Sequence, residues 1–153
     1  MPEAAAVLLQ WESRHHRAMN PAEAFAAIAL AAVACDGSLD QDEARSLRGQ
    51  LERRHPYVER TEESMGRLFD VLLDQLRSEG WRTLLARAIP ALSAPQQETA
   101  LAMAAQLVHC NRVVAPEERE LLQAMADQMP LPPGRAEQIL DVIAVLNRDS
   151  LAS

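Results

Sequence analysis

Four carboxylates stand within eight residues at Asp36, Asp40, Asp42 and Glu43. Hard cations such as Ca²⁺ or Mg²⁺ need several oxygens on one side of a turn, so this cluster is a candidate metal site. It is not an EF-hand: Gly37 follows Asp36 directly, and the twelfth position of the loop would be Leu47. The same residues also read as helix caps. Asp40 precedes a helical pattern and Glu43 stands three residues on, as in a capping box, and acids near a helix start are favoured by its dipole. A second pair, Glu117 and Glu118, opens a later segment.

Cys35 and Cys110 could form a zinc or redox pair with His109 beside them, but neither has a CxxC or CxxH neighbour. The alternative is a small buried hydrophobe at each place. His15-His16 could contact a metal or lie exposed on a first helix, and His55 precedes a proline at a helix end. No Ser-His-Asp arrangement, glycine-rich phosphate loop or paired-carboxylate spacing is present, and no lysine occurs, which excludes Schiff-base and P-loop chemistry. Hence no catalytic or cofactor-binding residue is assigned, and a divalent cation is the one cofactor the acidic turns would take.

The segments that position these residues come in two similar copies. Ala24 to Val33 carries no charge, the acidic turn follows, and Ala44 to Arg54 is charged and amphipathic. Ala100 to Val108 is apolar except for Gln106, His109 to Glu118 is the turn, and Arg119 to Met129 is amphipathic. One offset of 75 residues aligns Cys35 with Cys110, Asp36 with Asn111, Leu39 with Val114, Glu43 with Glu118 and Leu47 with Leu122.

The spacing predicts a first helix over 3–17 with Val7, Leu8 and Trp11 on one side. Asn20 caps the next helix, Pro21 takes its first position, and it runs to Cys35. A helix apolar on every face belongs in the middle of a protein. Asp36-Gly37 ends it, Leu39 is placed as a hydrophobic staple, and the third helix stops at His55-Pro56. Thr61 caps a helix from 62 to about 78, and Trp81 to Ile89 is a short helix ended by Pro90. Ser93 and Gln96 form a further capping box before the second apolar helix, 95–110. Pro130 stops the helix after it, and a last helix from about 135 to 146 should bury Ile139, Leu140, Ile143 and Leu146.

The expected architecture is one all-α domain over 1–153, of seven to eight helices: repeat 1 at about 21–54, an insert at 61–90, repeat 2 at about 94–129, and a C-terminal helix at about 134–147. The two apolar helices should pack together across a pseudo-twofold. A net charge of −7 argues against nucleic-acid binding. The longest apolar run is 12 residues, too short for direct membrane insertion, which needs roughly 20. With no signal peptide evident and only two cysteines, the expected location is the cytoplasm.

At its two turns the chain resembles the tellurite-resistance TerB family, whose hallmark is a helix ending in a small residue, Asp-Gly, a short spacer and an acidic helix start. Ala34-Cys35-Asp36-Gly37-Ser38-Leu39-Asp40-Gln41-Asp42-Glu43 fits that pattern. The similarity spans 24–129, with a helical hairpin between the copies as in the family. The resemblance implies a compact helical domain with an acidic, cation-binding patch, acting in stress responses beside membrane-associated or chaperone partners. A similar domain is attached to some J-type co-chaperones, although no His-Pro-Asp motif occurs here. The second copy departs from the pattern, with Asn111-Arg112 for Asp-Gly and Ala115 for the cap. Arg112 would place a positive charge in the second site, against two-site metal binding.

The function expected is therefore a non-enzymatic, TerB-like adaptor or divalent-cation-binding module in stress tolerance, with a protein partner. The alternative is a purely structural interaction domain or homodimer without a metal site. The candidate metal residues are Asp36, Asp40, Asp42 and Glu43, with Glu117 and Glu118 behind them.

Overall fold

A computed structural model describes residues 18–110 and 114–153. The expected first helix, the His15-His16 pair and the Asn111-Arg112 dipeptide lie outside the described residues. The described chain forms seven α-helices: α1 (Pro21–Ala34), α2 (Gln41–Glu52), α3 (Glu62–Glu79), α4 (Trp81–Ala88), α5 (Ala94–His109), α6 (Pro116–Gln128) and α7 (Arg135–Leu146). Short 3₁₀ turns at Tyr57–Glu59 and Ile89–Ala91 complete it, and no strand occurs among the described residues.

α1 is the centre. Alanine fills both its flanks, so the neighbouring helices approach its backbone closely and no polar side chain has to be desolvated. Ala24, Ala26, Ala27, Ile28, Leu30 and Ala31 are all fully enclosed. It packs against α5, α4 and α3, while α5 also carries α6 and α7. The two apolar helices therefore meet, as their composition requires. Leu30, Leu101 and Leu107 from these two helices are enclosed in the core, together with Leu47, Leu84 and Leu121 from the surrounding helices. Each such leucine stabilises the fold by roughly 1.5–3 kcal/mol on burial.

The caps follow the local chemistry. The Asn20 carboxamide accepts from the Glu23 amide at 2.8 Å, and Thr61 does the same for Ser64 at 3.1 Å. Ser93 and Gln96 form a capping box at the start of α5. One buried polar side chain lies next to it. Gln97 donates from Nε2 to the carbonyls of Ile89 and Leu92, each at 3.1 Å, and so ties the 3₁₀ turn to α5. Its Oε1 is buried with no partner.

Four local expectations change. Cys35 and Cys110 are C-caps rather than last helical residues, and Cys110 is exposed rather than a buried hydrophobe. Pro90 lies inside the 3₁₀ turn that follows α4, because proline's fixed φ suits a tight turn that lacks its N–H. The chain after α2 does not simply stop at Pro56 but rolls into a 3₁₀ turn that buries Tyr57, whose hydroxyl donates to the Ala22 carbonyl. Leu146, expected inside, is 68% exposed. α7 rests on α5 through Ala136, Ile139, Leu140 and Ile143, and its last turn is held instead by Asn147, which donates to Gln106 Oε1 at 2.7 Å. Val142 and Val145 also face outward.

Candidate functional site

The first acidic turn is built by hydrogen bonds. α1 ends at Ala34, and the Gly37 amide donates back to the Ala34 carbonyl at 2.8 Å. Gly37 sits at φ +86°, a conformation glycine adopts without the strain a Cβ brings. Its carbonyl accepts from Arg77 Nε at 2.9 Å, so α3 clamps the turn from the side. The Asp36 carboxylate accepts from the Ser38 amide at 3.0 Å and the Ser38 hydroxyl at 2.9 Å. Those bonds hold its pKa below the usual carboxylate range.

Asp40 and Glu43 complete a reciprocal capping box. Asp40 Oδ1 accepts from the Glu43 amide at 2.8 Å, and Glu43 Oε1 accepts from the Asp40 amide at 3.2 Å. Glu43 is half-buried, and its pKa is raised, mainly by burial. Asp42 is exposed in the first turn of α2.

The start of α6 repeats half of this device. Glu118 Oε1 accepts from the Ala115 amide at 3.0 Å, as Glu43 does from Asp40. Ala115 has no side-chain acceptor to return the bond, so the box is one-sided. Glu117 is exposed beside it. The two acidic starts act on one thiol. Cys35 is pushed up to about 11, first by burial and then by the negative charges of Glu117, Glu118 and Asp36.

Asp36 of the first turn and Glu117 and Glu118 of the second thus lie near enough to Cys35 to act on its thiol. Asp36, Asp40, Glu43 and Glu118 accept bonds from the backbone of their own turns, and Asp42 and Glu117 project to solvent. Among the described residues, no three His, Cys, Asp or Glu side chains converge as a set that could hold a metal ion. His55 lies on a different corner, 3.9 Å from Glu59. The arrangement offers a dense negative surface with two exposed, unspent carboxylates.

A second feature escaped the reading of the sequence. A groove of about 650 Å³ opens where the start of α1, the Pro56-Tyr57 corner and the start of α5 meet, with Phe25 and Tyr57 in its wall. Its residues come from three distant segments, and the one local signal was a lone tyrosine beside Arg53-Arg54-His55.

No helix among the described residues is long and apolar enough to cross a membrane. Comparison of the chain with family models, with characterised proteins and with solved structures gave no match.

Proposed function

We propose that the chain is a non-enzymatic, TerB-like adaptor of a cytoplasmic stress response, which recruits a protein partner through its acidic end. The observation that carries this reading is that α6 packs against α1, with Asp36 from the first turn and Glu117 and Glu118 from the second acting on the one Cys35 thiol. The equivalence of the two copies lends support. Cys35 and Cys110 cap their helices with nearly the same backbone angles, and Glu43 and Glu118 make the same backward bond, each pair at the offset of 75 residues. Exposed Asp42 and Glu117 would then supply long-range attraction for a basic or membrane-associated partner.

The test is genetic. Deletion of the gene should lower tolerance to tellurite or to oxidative challenge. The wild-type chain should restore it, and an Asp42→Arg/Glu117→Arg chain of unchanged melting temperature should not. Equal rescue by both would remove the acidic end from the function.

A second reading, weak divalent-cation binding at the same end, rests on Asp36, Glu117 and Glu118 all acting on the Cys35 thiol, although no three such side chains among the described residues converge as a metal-holding set. Calorimetric titration with Ca²⁺, Mg²⁺, Mn²⁺ and Zn²⁺ tests it. Saturable heat that disappears in Asp36→Ala/Asp40→Ala supports a cation site, and no heat with any ion leaves these carboxylates as caps and surface charge.

A further inference from the structure

From Ala24 to Ala32 every residue of α1 is buried except Phe25. Phe25 meets the Tyr57 ring at 6.4 Å between centroids and the Arg54 guanidinium at 5.8 Å, and is still only half-buried. With exposed Pro21 and half-buried Ala22 it forms an apolar face at the start of the helix. A helix apolar on every side belongs under cover on every side. The groove of about 650 Å³ lies over this face, and half-buried Pro56 and exposed Pro95 add apolar surface to its walls. The described helices therefore leave this part of the central helix open.

The chain itself arrives at the opening. Asn20 and Pro21 line the groove, and Met19 is buried in the core, so the backbone is anchored there just upstream of α1. Residues 1–17, outside the described ones, come immediately before. Their spacing predicts a helix over 3–17 with Val7, Leu8 and Trp11 on one side. A helix of that length is marginal in water unless its apolar side is packed. Ala18 to Asn20 would join it to α1, and helix–helix connections of about 2–8 residues are the common case. So short a connection keeps the segment beside the start of α1, where the groove is. It also gives a local concentration on the order of millimolar, so that a weak contact is enough to fill the groove.

We propose that residues 1–17 dock in this groove of their own chain, with Trp11 seated on Phe25. A tryptophan brings about 150–250 Å² of surface to such a seat and gains further from an aromatic neighbour. Val7 stands one turn away on the same stripe and extends the contact. Attachment and the apolar stripe select this occupant. Once docked, the segment completes the cover of α1 and shields Phe25 from other ligands. The groove is at the opposite end of α1 from Asp36, about 21 Å away along its 14 residues, so this assignment and the acidic-end reading can fail separately.

The test is the fluorescence of the full-length protein. It has two tryptophans, of which Trp81 is buried, and the difference between wild type and Trp11→Phe isolates Trp11. Trp11 emission should be blue-shifted and quenched by iodide several-fold less efficiently than free tryptophan. Thr99→Arg, at an exposed position in the groove, should shift the emission to the red and remove the protection while the helical circular dichroism is kept. Phe25→Ala should do the same, and in urea Trp11→Ala should lower the unfolding midpoint less in the Phe25→Ala chain than in wild type. Three outcomes would overturn the proposal: a Trp11 as accessible as free tryptophan, protection that survives both groove substitutions, or additive midpoint shifts. Protection lost on dilution, together with a dimer in sedimentation, would give the groove to a second copy and overturn it as well.

Discussion

Replacing Gly37 with alanine separates backbone strain from packing at the first acidic turn. An added Cβ would lie 3.7 Å from Arg77 Cγ, an ordinary contact, so no clash contributes. The penalty comes from φ +86°, where an L-residue loses roughly 1–2 kcal/mol. Alanine's smaller freedom in the unfolded chain returns roughly 0.4–1 kcal/mol. The difference is a net loss of at most about 1.6 kcal/mol and about 0.8 kcal/mol at mid-range, or a melting temperature lower by about 2–3 °C at mid-range for a chain of this size. Gly49 is the control. It lies inside α2 with open space around its Cα, so Gly49→Ala should stabilise the protein by about 0.5–1 kcal/mol. Gly37→Asn should lose less than Gly37→Ala, because asparagine tolerates the left-handed region. Thermal melts followed by circular dichroism measure all three. The reasoning is refuted if Gly37→Ala melts at or above wild type, or if the two alanine variants shift in the same direction.

Other perturbations separate the remaining contributions. Asp36 has a lowered folded pKa, so its stabilisation is present above the ordinary carboxylate range and is lost as pH falls through the folded value. Asp36→Asn should therefore be less stable than wild type at neutral pH, with the gap closing in acid, as urea unfolding at several pH values would show. Ellman's reagent near pH 8 should label exposed Cys110 quickly and Cys35 slowly, since Cys35 is raised to about 11, and Glu117→Gln/Glu118→Gln should speed Cys35; equal rates at the two thiols would contradict this. Leu101→Ala, at a fully buried position of α5, should cost about 2–5 kcal/mol in urea unfolding, whereas Leu146→Ala should stay within about 0.5 kcal/mol.

The helical architecture was legible because its signals are local. An alanine-rich run without charge has to be central, and the caps at Asn20, Asp40, Thr61 and Ser93 are short-range hydrogen bonds written in neighbouring residues. The acidic residues were legible as caps for the same reason. What periodicity could not supply was the partner of each face. Leu146 has helical spacing with Ile139 and Ile143, yet α5 supports only the earlier turns of α7, and Asn147 takes over through Gln106. The groove was hidden because Phe25, Arg54 and Leu92 belong to three segments that only the folded packing brings together.

The central claim is that the acidic end is the surface through which the protein works. Proximity labelling in the cell tests it most directly, with the wild-type chain compared with Asp42→Arg/Glu117→Arg at equal expression and equal melting temperature. The account predicts that charge reversal removes the partners labelled by the wild-type chain from that end. An unchanged set of labelled partners would contradict it.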